Sequence, residues 1–254
     1  MTSKKFGQNF LIDSTIAEKE INYCNITKDD VVLEVGPGKG ILTKPLAERA
    51  HKVIAIEIDK KLVANLKKFL PKNVVLIHND VLNVDFETLP KFNKIVSNLP
   101  YKISSPITFK FLQYDFNKAV LIYQREFAYR MIAKAGSKNY SRLSVGVYYK
   151  AMCEINETIP RTSFDPQPKV DSCIVSLSPR KTNPFFVLDE KFFFKLTREL
   201  FNHRRKKIKN IIKKIFGFES KEIPFMDERV EQLTPENIGK LSNTLLEMKF
   251  KKIL

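Results

Sequence analysis

Residues 31–40 read VVLEVGPGKG. The first five are mostly β-branched and apolar, the composition of a strand buried on both faces. A run of alternating glycines follows, where the backbone turns sharply and something else can come close to it. ILTKPLAERA (41–50) then reads as a helix. The rhythm repeats downstream. VIAIEID (53–59) is a strand, KKLVANLKKFL (60–70) an amphipathic helix, and VVLIHND (74–80) and KIVSNLPY (94–101) are further strands. Short apolar runs alternating with helices of this length imply βαβ crossovers and a parallel sheet covered on both faces. PITFKFLQY (106–114) continues as helix, KAVLIYQ (118–124) as strand and REFAYRMIAKA (125–135) as helix, with LSVGVYYKAMCEI (143–155) and SCIVSLSP (172–179) as the last strands. Beyond Pro184 the pattern is helical: one long helix over 192–216 and shorter amphipathic pieces near 219–231 and 235–248. The expected fold is α/β, a mostly parallel seven-stranded sheet over residues 1–180, with a small all-helical domain over 181–254.

Composition narrows the class. Hydrophobic residues are 43% and charged residues 28% of the 254, which is globular rather than disordered. No apolar run approaches the length of a membrane span, and MTSKKFGQNFLID at the N-terminus lacks the features of a secretory signal, so a cytoplasmic protein is expected. Three scattered cysteines without a CxxC pair, and histidines only at 51, 78 and 203, argue against a disulfide framework or a structural metal site. Lys+Arg number 44 against 28 Asp+Glu, a net charge of +16, which favours a polyanionic partner.

Ligands of open parallel sheets bind outside the carboxyl ends of the strands. Here those ends carry Gly36-Pro37-Gly38, then Glu57, then Asp80, then Asn98. Glu57 follows Gly36 by 21 residues, where a carboxylate can accept both hydroxyls of a ribose. A dinucleotide would need the GxGxxG spacing for its pyrophosphate, and this turn is GxGxG with Ile41-Leu42-Thr43 after it. S-adenosylmethionine has a ribose and an adenine but no phosphate, so acids at Glu57 and Asp80 suit its hydroxyls and its exocyclic amine. A nicotinamide enzyme is correspondingly disfavoured.

Asn98-Leu99-Pro100-Tyr101 suggests what the donor is for. A nucleobase amine is a poor nucleophile because its lone pair is delocalised into the ring, and a base cannot remove its proton at neutral pH. Two carbonyl acceptors would draw the nitrogen toward tetrahedral geometry. Asn98 offers a side-chain carbonyl, and the peptide oxygen of Leu99 or Pro100 offers a second. Tyr101 offers a face for stacking, worth about 1–3 kcal/mol per base. No metal is required.

Asn-Leu-Pro-Tyr at the end of a fourth strand resembles the signature of amino-group methyltransferases. With KISSPI after it, KKFGQNFLID (4–13), EVGPGKGILT (34–43), FDPQPKVDS (164–172) and FNHRRKKIKNII (201–212), the chain resembles the ribosomal RNA adenine N6,N6-dimethyltransferases over nearly its whole length. The leucine and the Ser-Ser-Pro point to their small-subunit branch rather than to the large-subunit enzymes of macrolide resistance. Lys102, where asparagine is common, is a departure. The resemblance implies a Rossmann-like S-adenosylmethionine-dependent methyltransferase domain and a helical RNA-binding domain. It implies that Gln8, Asn9 and Leu11 contact the cofactor from an N-terminal segment, with Gly36, Gly38, Glu57, Ile58, Asp80, Val81 and Asn98 completing its pocket. Tyr101 and Phe164 would sandwich an adenine flipped from its loop. The implied reaction is dimethylation of two adjacent adenosines near the 3′ end of small-subunit RNA, by a monomer acting on the immature particle.

The helical tail carries eight basic residues against one acid between Arg198 and Lys214. Beside a base-modifying pocket, Arg204, Arg205, Lys206 and Lys207 are expected to hold RNA phosphates, positioning the substrate without reading it. A non-catalytic RNA-binding assembly or transcription factor on the same fold is the rival class, which a cofactor titration separates.

Overall fold

The structure, a computed structural model, describes residues 8–217, 220 and 222–251. Lys4–Gly7 of the N-terminal motif, and Glu219 and Lys221 of the expected helix near 219–231, lie outside the described residues. The strands are β1 (Phe10–Leu11), β2 (Val31–Val35), β3 (Lys52–Glu57), β4 (Val74–His78), β5 (Lys94–Asn98), β6 (Lys118–Gln124), β7 (Ala151–Ile159), β8 (Phe164–Asp165) and β9 (Ser172–Pro179). The helices are α1 (Ser14–Cys24), α2 (Thr43–Arg49), α3 (Lys60–Leu66), α4 (Ser104–Phe111), α5 (Arg125–Met131), α6 (Arg142–Lys150), α7 (Glu190–Asn202), α8 (Ile208–Phe216) and α9 (Pro235–Lys251). Two compact units result: residues up to Ala128 with Ala151–Pro179, and Tyr129–Lys150 with Arg180 onward.

The first unit holds a seven-stranded sheet in the order β4-β3-β2-β5-β6-β9-β7. β2 to β6 pair in parallel, and β9 runs antiparallel to β6 and β7. The order runs outward from β2 to β4 and then restarts on the other side of β2 with β5. That reversal leaves a crevice at the carboxyl ends of β2 and β5, where Gly36 and Asn98 emerge. The central strands are almost wholly buried, which is why they read as unbroken apolar runs. Ile16, Ala17 and Ile21 of α1 and Leu46 of α2 pack on Val32, Val53, Val96 and Val120 on one face of the sheet. Asp13 caps α1, accepting from Thr15 N (3.0 Å) and Ile16 N, and its other oxygen accepts from Ser163 Oγ (3.3 Å). This fixes where the segment before α1 enters.

The second unit is helical, and its core gathers Tyr149 of α6, Phe193, Leu196 and Leu200 of α7, Ile208, Ile211 and Ile212 of α8, and Leu241 and Leu245 of α9. Three expectations are corrected here. Residues 142–150 form a helix, and the strand starts only at Ala151. LSVGVYY is β-prone, but Leu143, Val145, Val147 and Tyr149 are all buried, and burial on several faces outweighs intrinsic preference. The boundary expected near residue 180 is incomplete for the same reason, since 129–150 packs with the helical unit. The long helix over 192–216 is two helices, broken at His203–Lys207. The break carries no proline or glycine. It lets Ile208 N bond to Glu228 O (2.9 Å) and Lys207 pair with Asp227 (3.2 Å), which a continuous helix through five basic residues would forgo. Among the described residues of 219–231, helical structure is confined to a 3-10 turn that begins at Val230. Among the described residues no helix is long and apolar enough to cross a membrane.

Candidate active site

A cavity of about 210 Å³ opens at the reversal of strand order, lined from the ends of β2, β3, β4 and β5 and from the segment before α1. Gly36 and Gly38 take left-handed φ of +71° and +58°. A Cβ on Gly38 would stand 3.0 Å from the Phe10 ring, so this turn tolerates only glycine there. Glu57, at 2% exposure, accepts from Gly38 N (3.2 Å) and Asp59 N (2.9 Å) with opposite oxygens. Burial pushes its carboxyl up, while those N–H groups pull it back. The result is an acid locked in orientation at the cavity wall. Asp80 heads the turn after β4, its Oδ1 accepting from Leu82 N (2.9 Å), and it lines the cavity with Ile58 and Val81.

Asn98 donates its Nδ2 to Asn9 O (3.2 Å). That bond sets the amide, so its carbonyl end is the one left to accept. Pro100 O accepts from Ile103 N (3.0 Å), and Leu99 O is therefore the peptide oxygen not committed to this turn. Tyr101 bonds through its hydroxyl to Ser172 Oγ (2.7 Å), and burial raises its phenol. The ring is thus held at its far edge, with Lys102 beside it at the cavity rim.

Gln8, Asn9, Gly36, Gly38, Glu57, Ile58, Asp80, Val81, Asn98, Leu99, Pro100 and Tyr101 all line one cavity. Two expected residues do not. Phe164 is 1% exposed and Leu11 is its cross-strand partner in the β1–β8 ribbon, and both point into the sheet-side core. In this structure Phe164 packs in that core rather than along the cavity wall. Phe10 takes the outward place, lining the cavity under the Lys39 ammonium (5.0 Å to its ring). Strand alternation from a buried Leu11 is the signal that would have found it.

Beneath the glycine turn lies a feature that apolar patterning conceals. Glu34 of β2 (1% exposed) and Glu20 of α1 (0%) are both buried, with Glu20 Oε1 and Oε2 and Glu34 Oε2 lacking partners. Desolvation pushes Glu34 up to about 8, and it raises Glu20 too, with the Glu34 charge adding to that effect. A carboxyl raised from 4.5 to about 8 on folding contributes stability that is complete below about pH 4.5 and lost as the pH climbs through 8. Glu34→Gln, which stays neutral, should gain on the unaltered protein between pH 5 and 8.5 in thermal melts. A pH-independent difference between the two would refute this.

In the helical unit the basic run divides. Arg204 is an internal clamp, pairing with Glu231 (2.7 Å) and donating to Lys138 O (2.9 Å) and Ser137 O (3.1 Å). Lys207 and Lys209 both hold Asp227. Arg205 and Lys206 are exposed.

Comparison with known proteins places the chain in a family. Residues 2–247 match the family model described as ribosomal RNA adenine dimethylase. A protein of Thermococcus onnurineus named "Probable ribosomal RNA small subunit methyltransferase A" is 47% identical over 92% of this chain and 89% of its own. One of the same name from Methanococcus maripaludis is 47% identical over 96% of this chain and 98% of its own. Among solved structures, a dimethyladenosine transferase from Plasmodium falciparum superposes with a TM-score of 0.77 at 30% identity, covering 96% of this chain and 98% of that one. The 23S rRNA methyltransferase ErmE superposes with a TM-score of 0.67 at 25% identity, covering 93% of this chain and 99% of that one. With its cavity walled by Glu57, Asp80 and Asn98, the chain belongs to the ribosomal RNA adenine dimethylase family, enzymes that use S-adenosylmethionine to dimethylate adenine in ribosomal RNA.

Proposed function

We propose that this protein dimethylates N6 of two adjacent adenosines near the 3′ end of small-subunit ribosomal RNA, acting as a cytoplasmic monomer on the immature particle. The observation that carries the chemistry is the Asn98 amide, set by Asn9 O so that its carbonyl end is left for an amine. When bound, S-adenosylmethionine supplies an electrophilic methyl on a sulfonium. The residues present fit it. Glu57 is a fixed double acceptor, Gly36 and Gly38 give close backbone, and Asp80 stands beyond them on the same wall. Asn98 Oδ1 and Leu99 O would take the two amine hydrogens, Tyr101 would support the base, and the buried walls would exclude water. Positioning then supplies most of the acceleration. The small-subunit assignment draws on the names of the relatives at 47% identity and on Leu99 and Ser104-Ser105-Pro106.

The test supplies labelled cofactor with immature small subunits, and separately with naked large-subunit RNA, followed by mass spectrometry of the nucleosides. N6,N6-dimethyladenosine from the first is expected. Label confined to the second would move the protein to the macrolide-resistance type, and no label in either would end the enzymatic reading.

The divided basic run gives its own expectation. Arg205→Ala with Lys206→Ala should leave the melting temperature unchanged and weaken RNA binding, lowering the salt slope by about 2. Arg204→Ala should instead destabilise the protein by about 1–3 kcal/mol, because Glu231 and two carbonyls lose their donor. Equal effects on melting from both variants would contradict the division.

A further inference from the structure

Lys110 lies on α4, the helix that begins three residues after Tyr101. Its ammonium donates to Val81 O (2.9 Å), Leu82 O (3.0 Å) and Val84 O (2.5 Å), which uses all the hydrogens it has. It also stands 4.7 Å from the centroid of the Phe86 ring. The segment it gathers is the turn after β4, already folded on itself by Asn83 N to Asp80 O (2.9 Å) and Leu82 N to Asp80 Oδ1 (2.9 Å). Asp80 and Val81 of that turn line the cavity, and Lys110 does not.

We propose that Lys110 is a positioning residue for the nucleoside end of the cofactor: it ties the turn bearing Asp80 and Val81 to the helix that follows the Asn98–Tyr101 segment. The proposal rests on reading the cavity as the S-adenosylmethionine site. The physical reason is that three carbonyl dipoles converging on one point repel each other unless a cation sits between them. A neutral side chain there would let the turn open and carry Asp80 off the wall. The surroundings agree, since burial lowers the Lys110 ammonium while Asp85 and Asp80 oppose that, so the Asp80 carboxylate lies within electrostatic reach of it. A helix also carries the constraint stiffly, so the distance from the base-binding wall to the amine-gripping turn becomes a fixed length of the fold.

The test compares unaltered protein with Lys110→Met and Lys110→Arg by calorimetric titration with S-adenosylhomocysteine and, separately, with adenosine. Lys110→Met should weaken both ligands by the same factor, about tenfold, because the defect lies at the part they share. In steady-state assays KM for the cofactor should rise by about that factor with kcat within about twofold, and Lys110→Arg should restore most of the loss. A general loss of fold would lower kcat as well and would not respond to a restored charge. Unchanged adenosine affinity in a folded Lys110→Met would overturn the proposal, as would a loss seen in kcat rather than KM. If the unaltered protein binds neither ligand, the cofactor site itself is misassigned.

Discussion

Asn98→Ala should bind S-adenosylhomocysteine within a few-fold of the unaltered protein and lose roughly 10²–10³-fold in kcat, the range seen when one preorganised polar contact to a reacting group is deleted. The asymmetry follows from where the side chain points. Its Nδ2 is spent on Asn9 O, which leaves its Oδ1 free to accept in the proposed role. In the proposed arrangement its removal would leave Leu99 O alone to receive two hydrogens, and the nitrogen would stay conjugated with its ring. Asn98→Asp makes a useful contrast, because it keeps an acceptor but sets a carboxylate oxygen against the Asn9 carbonyl where a donor stood 3.2 Å away. It should fall between the two. Rapid-quench measurement of the first turnover checks both. An alanine variant with unchanged single-turnover rate would remove Asn98 from the chemistry.

The second large effect is expected at Glu57. Both oxygens are engaged by backbone N–H groups, at 3.2 Å from Gly38 and 2.9 Å from Asp59. In Glu57→Gln one of those donors faces an amide N–H instead of an acceptor, at a cost of about 1–3 kcal/mol. The glycine turn would lose its anchor and, in the proposed site, the ribose its anionic acceptor. Affinity for S-adenosylhomocysteine should fall about 100-fold, with kcat at saturation little changed, as read by calorimetry and steady-state assay. Because burial raises the Glu57 carboxyl, affinity in the unaltered protein should also weaken as the pH falls toward that raised value, and the glutamine variant should not show this dependence. Equal affinity in the two proteins at neutral pH would refute the assignment.

Much of this was legible in the chain because parallel strands announce themselves. β2, β3 and β5 are buried runs whose carboxyl ends carry Gly36, Glu57 and Asn98, and the fold brings those ends to one crevice. What escaped did so for local reasons. In 142–150 valine and tyrosine argue for a strand, yet burial of Leu143, Val147 and Tyr149 in a helical core decides otherwise. The interruption at His203–Lys207 has no breaker residue and depends on partners distant in sequence, Glu228 and Glu231. Arg204 resembled its neighbours as a surface charge until its carbonyl partners were located. Phe164 sat in a functional motif and turned inward, and Phe10, one place before a residue of interest, turned outward. Glu20 and Glu34 broke no hydrophobic pattern strongly enough to be seen as buried acids.

Since 129–150 packs with the later helices, the polypeptide passes from one unit to the other three times, after residues 128, 150 and 179. No single cleavage yields two whole halves, and a fragment starting at 181 would lack Tyr149, against which Phe185 and Phe193 rest at 5.0 and 5.1 Å. During synthesis the sheet cannot be completed until Pro179 has left the ribosome, by which time the first helical segment has long been waiting for its companions. The two halves of the enzyme must therefore mature in an interleaved order, each holding an unfinished surface while the other is extended.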